Sequence, residues 1–268
     1  MSSRGPQPGS PPVILGVVHL RPLPGSPRYG GDRSAILAAA EADAAALLEG
    51  GCDGFVVENF GDAPFHATRV EPGVIAEMAV IASHLRRQAG PEPRLGINVL
   101  RNDAGAALAI AAAADADFIR VNVHTQGAWT DQGWVEGEAA RTLRSRRALA
   151  AEGVRIYADV GVKHAIHLPG HDLGESARET VGRGLADGLI VSGAGTGRPT
   201  DPSDVATVRQ AVPGVPILIG SGATAATIRA LLECADGVIV GSCLKRDGLL
   251  EAPIDKERVE AFVEAARR

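Results

Sequence analysis

Short apolar runs recur along the chain, each followed by a longer stretch with helical spacing. The runs cover 13–19, 54–58, 95–99, 118–123, 155–159, 189–192, 216–219 and 237–240. Their length and their content of Val, Ile and Leu predict strands. Helical patterns lie between them, among them 34–49, 104–114 and 224–233, and a last helix starts near Asp255. Eight strands alternating with eight helices imply parallel βαβ units. The units show no self-similarity at this level. An open doubly wound sheet is the competing architecture, but no early G-x-G-x-x-G fingerprint supports it. The 268 residues also match the roughly 250 of one closed barrel. The chain is therefore read as a single α/β domain, a (β/α)8 TIM barrel over 13–268. Residues 1–12, rich in Ser, Gly and Pro, are expected to be a disordered lead-in.

Strands buried on both faces should read as near-continuous apolar runs, so polar residues inside them need a reason. In the fourth run Ile119, Val121 and Val123 alternate with Arg120, Asn122 and His124. Alternation places the polar three on one face, predicted to point into the barrel. His19 ends the first run, Glu58 the second and Asp159 the fifth, and Asn98 comes near the end of the third. Catalytic groups of such barrels sit at the C-terminal strand ends. Convergence on one mouth favours a binding site over a satisfied interior network. Glu58 and Asp159 are candidate general acids or bases, with His19 and His124 as proton carriers or electrophiles. Asn98, Arg120, Asn122 and His164 would orient substrate. Lys163 would bind an anion or stabilise developing negative charge, which is preferred over Schiff-base chemistry.

Glycine-rich turns follow the last three runs: Gly193 to Thr196 within a Ser-Gly-Ala-Gly-Thr-Gly stretch, then Gly220-Ser221-Gly222, then Gly241-Ser242. Barrels commonly hold phosphate between the loops after strands seven and eight. These residues are the predicted phosphate site; the alternative is tight turns that merely need glycine.

Composition narrows the field further. A net charge of −5 argues against a nucleic-acid partner. Three cysteines without metal-type spacing argue against a disulfide framework and for a reducing, cytoplasmic setting. No apolar run is long enough to span a bilayer, and the first residues lack the apolar stretch of a signal peptide. No metal is assigned. The spacing of His164, His167 and His171 is a weak zinc signal, and a divalent ion held by His19, Glu58, His124 and Asp159 is the stronger alternative. No segment identifies an interface, so a homo-oligomer stays open.

Several segments carry a family resemblance: Gly16-Val-Val-His19-Leu followed by Pro-Leu-Pro-Gly-Ser-Pro, Glu58-Asn-Phe-Gly-Asp-Ala-Pro-Phe65, and Asn98-Val-Leu-Arg-Asn-Asp103. Phe118-Ile-Arg-Val-Asn-Val-His124, Thr130-Asp-Gln-Gly133 and Ala158-Asp-Val-Gly-Val-Lys-His-Ala165 continue it. On these the chain resembles the BtpA/SgcQ family. The resemblance implies a ribulose-phosphate-binding type of barrel and two functional directions. Cyanobacterial relatives look like factors needed for photosystem I accumulation, and bacterial relatives appear among sugar-uptake and sugar-metabolism proteins. The residues favour an enzyme acting on a small phosphorylated sugar or phosphoribosyl compound, by isomerisation, lyase-type cleavage or hydrolysis. The alternative is an assembly factor that binds protein or a membrane surface, for which no exposed apolar or basic stretch stands out.

Overall fold

The computed structural model describes residues 11–162, 165–166, 170, 172–193, 195 and 198–268. Eight parallel strands close into a barrel: β1 (Val13–His19), β2 (Gly54–Glu58), β3 (Arg94–Asn98), β4 (Phe118–Val121), β7 (Arg155–Val160), β9 (Gly188–Val191), β10 (Ile217–Ile219) and β11 (Gly237–Val240). Neighbours in space follow the chain, and β11 pairs with β1 to close the ring. The helices between them are α1 (Arg33–Glu49), α2 (Pro72–Ala89), α3 (Ala104–Ala113), α4 (Ala139–Ala148), α5 (Leu173–Gly182), α6 (Pro202–Ala211), α7 (Ile228–Leu232) and α8 (Lys256–Arg267).

Strand alternation produces two separate cores. Residues facing outward, such as Ile14, Val57, Ile97, Ile119 and Ile156, merge with the helices into one large apolar cluster. Residues facing inward, among them Val17, Val56, Phe118, Tyr157, Ile190, Leu218 and Ile239, fill the lower barrel as a second cluster. Phe118 and Tyr157 meet edge-on at 5.3 Å, so the barrel is packed solid below the level where polar residues begin.

At the N-terminal end of the barrel a clamp repeats four times, which corrects the impression that the units lack self-similarity. An aspartate immediately precedes every second barrel strand, within Cys52-Asp-Gly54, Ala116-Asp-Phe118, Ala186-Asp-Gly188 and Ala235-Asp-Gly237. Each carboxylate accepts the backbone N–H of the preceding barrel strand at 2.8 Å: Asp53 from Ile14, Asp117 from Leu95, Asp187 from Ile156 and Asp236 from Ile217. Each also receives an arginine from α2, α4, α6 or α8, with Arg86, Arg146, Arg209 and Arg267 at 2.6, 2.7, 2.6 and 3.0 Å. The carboxylate thus ties a helix end to the base of a strand through charge-assisted hydrogen bonds. Asp236 is the most buried of the four, with a side chain 8% exposed. Replacing it by Ala strands the Ile217 amide and the Arg209 guanidinium, so Asp236→Ala should cost about 2 kcal/mol. A thermal melt should show a Tm lower by roughly 5 °C.

After β4 the chain forms an antiparallel hairpin, β5 (Gly127–Thr130) and β6 (Gly133–Glu136), joined on its other edge by β8 (Ala165–Ile166). Ala128 and Val135 are buried against Val123 and Val162. The opposite face carries both tryptophans of the chain as cross-strand partners, Trp129 and Trp134, with ring centres 5.6 Å apart. Ile166 pairs across from Trp129. Trp129 is 52% and Ile166 74% exposed, so an apolar face does reach solvent, contrary to the sequence expectation.

Candidate functional site

Above the apolar plug, the inward positions at the strand ends turn polar. His19, Glu58, Asn98 and Arg120 lie in one continuous register across β1, β2, β3 and β4. Asn122 and Asp159 stand one pleat higher. The Arg120 guanidinium reaches over the barrel and meets Asp159 through Nε at 3.2 Å and Nη2 at 3.0 and 3.1 Å. Asn122 Nδ2 donates to the same carboxylate at 2.7 Å. Arg120 also donates to Gly220 O at 3.3 Å and to Ser192 Oγ at 3.4 Å. Both side chains of the ion pair are almost wholly buried, at 2% and 0% exposure. Asp159 is therefore one half of a buried ion pair, with Asn122 as a further donor.

Glu58 sits differently. Asn98 Nδ2 donates to its Oε2 at 2.5 Å, and His19 Nε2 lies 3.7 Å from its Oε1. The His19 ring packs against Phe60 with centroids 4.6 Å apart and the planes tilted by 42°. A carboxylate held by a neutral amide and facing an imidazole is an acid–base arrangement.

His124 does not join this group. The strand ends at Val121 because the Asn102 side chain takes over the backbone pairing, accepting from Val123 N and donating to Val123 O, each at 2.8 Å. The chain bends, and His124 Nε2 donates to Gly184 O at 2.8 Å, just beyond α5. Burial pushes its pKa below the ordinary histidine value, against the opposing pull of that carbonyl. A depressed histidine stabilises the fold above its unfolded pKa of about 6.5, and that contribution is lost as pH falls. His124→Gln keeps a donor toward Gly184 but cannot protonate. Its Tm should therefore fall less than wild type between pH 7.5 and pH 5.5.

With His124 outside the mouth and Asp159 bound to Arg120, the proposed divalent-ion quartet does not assemble. Among the described residues no three His, Cys, Asp or Glu side chains form a metal-binding group. Lys163, His164, His167, His171 and Thr196 lie outside the described residues. The three cysteines are free thiols, and burial pushes Cys52 up to about 12 and Cys243 to about 11. Neither is a nucleophile at neutral pH.

The glycine loops lie at the mouth, and each glycine also has a packing role. A Cβ on Gly220 would come within 2.4 Å of Ser192 Oγ and 3.0 Å of Arg120 Nη2; one on Gly241 would lie 2.8 Å from His19 Cε1. Gly193 packs on Arg198 O, where a Cβ would sit at 2.3 Å. Gly222 has φ of +73°, and its Cβ would fall 1.8 Å from the same oxygen. A bulky residue at Gly222 thus breaks the loop before it can report on a ligand. Ser221 carries a buried hydroxyl that has no partner among the described residues, and Ser242 opens a short 3-10 turn. Instead of the helix foreseen over 224–233, α7 occupies only Ile228–Leu232.

Arg101, which no strand pattern marks, also belongs to the mouth. It is 5% exposed and lies close enough to Asp159, Asp131 and Glu58 to feel their charge, while burial lowers its pKa. Two asparagine brackets set its position: Asn59 Oδ1 accepts from Leu100 N at 2.7 Å, and Asn102 grips Val123. Asp62 fixes Asn59 in turn and accepts from Leu23 N at 2.8 Å. The signal was present in the polar runs that follow Glu58 and Asn98, but a loop arginine has no strand alternation to betray its direction.

The family model for the BtpA family matches residues 11–268. The chain belongs to the BtpA family. It is 49% identical to the photosystem I biogenesis protein BtpA of Synechocystis, over 94% of this chain and 87% of the relative. It is 44% identical, over 95% of both chains, to an uncharacterized protein of Thermococcus kodakarensis. Among solved structures, a tryptophan synthase of Mycobacterium tuberculosis superposes with a TM-score of 0.62 at 17% identity, covering 96% of this chain and 93% of that one. A thiamine phosphate pyrophosphorylase of Pyrococcus furiosus gives 0.56 at 16% identity, covering 96% and 95%. At such identities these structures establish the TIM-barrel fold of this BtpA-family chain and nothing finer.

Proposed function

We propose that this BtpA-family barrel is an enzyme that binds a small phosphorylated sugar or phosphoribosyl compound at its mouth and moves a proton on it. The observation that carries this is the division of labour between two buried carboxylates. Asp159 is locked by Arg120 and Asn122, whereas Glu58 faces His19 and is held by Asn98. Two titratable groups in contrasting surroundings are the usual basis of acid–base assignment. Glu58 takes the proton, His19 carries it, and Arg101 stabilises negative charge that develops on the substrate. The phosphate would lie against the loops at Ser221–Gly222 and Gly241–Ser242. Names of structural neighbours, which include a thiamine phosphate pyrophosphorylase and a phosphoribosyl anthranilate isomerase, fit such a ligand. Isomerisation and lyase-type cleavage both use this proton transfer.

The test is to incubate the protein with a panel of sugar phosphates and phosphoribosyl compounds and follow each by phosphorus NMR. Conversion of one compound by the wild type and not by Glu58→Gln supports the reading. Wild-type protein that converts none of them contradicts it.

A second reading has its own observation. The exposed Trp129 and Ile166 face offers a surface for a protein partner, and the Synechocystis relative is named for photosystem I biogenesis.

A further inference from the structure

The two asparagines of the mouth form matched pairs with the two carboxylates. Asn98 Nδ2 donates to Glu58, and Asn122 Nδ2 donates to Asp159. A carboxylate accepts and does not donate, so it fixes the orientation of each amide: nitrogen toward the acid, oxygen away from it. Both carbonyl oxygens are buried, and neither accepts a hydrogen bond among the described residues. Asn98 and Asn122 are themselves 1% and 2% exposed. A buried acceptor without a donor costs free energy, and a matched pair at a strand-end mouth is poorly explained by chance.

The two oxygens lie on neighbouring strands. Asn98 pairs in register with Arg120, and Asn122 stands one pleat above it. By strand spacing their backbones are about 8 Å apart, a distance that two amide side chains can close around one small molecule. Beside Asn122 and Asp159 lies a polar pocket of about 20 Å³, also lined by Gly161, Ser176 and Thr180. That is room for a single hydroxyl group. The other hydroxyls there already have partners, since Thr180 bonds Thr125 and Ser176 bonds Gln126.

We infer that Asn98 and Asn122 accept hydrogen bonds from two hydroxyl groups of the ligand, so that the mouth selects a polyhydroxylated phosphate over one that lacks them. This inference rests on the phosphate-binding reading above and adds its specificity. It also makes specific the substrate-orienting role expected from sequence: each asparagine commits an N–H to a carboxylate and offers its carbonyl oxygen to the ligand.

Matched ligand pairs test it on the wild-type protein without relying on a variant. Calorimetric dissociation constants would be measured for ribose 5-phosphate against 2-deoxyribose 5-phosphate, for glucose 6-phosphate against 2-deoxyglucose 6-phosphate, and for inorganic phosphate. At least one hydroxylated member should bind roughly tenfold more tightly than its deoxy partner, the worth of one hydrogen bond in a dry site. In Asn98→Leu or Asn122→Leu that preference should shrink to under threefold, while the affinity for inorganic phosphate stays unchanged. If deoxy and hydroxylated members bind equally, the inference falls and the phosphate reading stands. If no phosphorylated compound binds, both fall.

Discussion

Asp159→Ala should destabilise the protein by about 3–5 kcal/mol, the cost of leaving a buried charge without its partner. Arg120 is the charge in question. Its side chain is 2% exposed and its fork is spread over Asp159, with only weaker contacts to Gly220 O and Ser192 Oγ. Removing the carboxylate leaves a buried guanidinium, which stays charged, without its ion-pair partner. At this chain length the loss should appear as a Tm lower by roughly 10 °C. The double variant Arg120→Met, Asp159→Leu removes both charges and should recover most of that loss, since an apolar pair can replace a buried ion pair. A single variant that melts like the wild type would mean that Asp159 is not the partner holding Arg120, and its assignment as a structural acid would fail.

Glu58→Gln should do the opposite: leave the fold and remove the chemistry. The amide keeps the shape of the side chain and still accepts from Asn98. It can no longer take up a proton, so turnover of a converted compound should fall by roughly 10²–10⁴-fold, the usual share of a general acid or base. The melting temperature should stay within about 2 °C of wild type. A large drop in Tm with turnover per folded molecule unchanged would reverse the roles given to the two carboxylates.

Much of the fold was legible because its signals are local. The runs at 13–19, 54–58 and 237–240 coincide with β1, β2 and β11, since buried parallel strands leave little room for any other reading of short apolar segments. The inward direction of Arg120 and Asn122 followed from alternation alone. His124 escaped because alternation was extended beyond the strand: the side chain that ends it, Asn102, lies 21 residues earlier, and nothing near His124 announces it. The hairpin at Trp129 and Trp134 was hidden by its brevity, with strands of four residues each. The fourfold clamp was visible in the repeated Ala-Asp-Gly type motif, yet its meaning needs arginines that arrive from helices 27 to 214 residues away. The glycine turns were found, and their packing against Arg198, Arg120 and His19 shows why position alone could not separate a cradle from a tight turn.

The measurement that bears most directly on the central claim is a thermal-shift screen of the purified protein against sugar phosphates, phosphoribosyl compounds and inorganic phosphate. A ligand that binds only the folded state adds about 2.7 kcal/mol at a hundredfold excess over its dissociation constant. At least one phosphorylated sugar should raise Tm by several degrees, and by more than inorganic phosphate does. A flat response to every phosphorylated compound would contradict it and turn attention to the apolar face at Trp129 and Ile166.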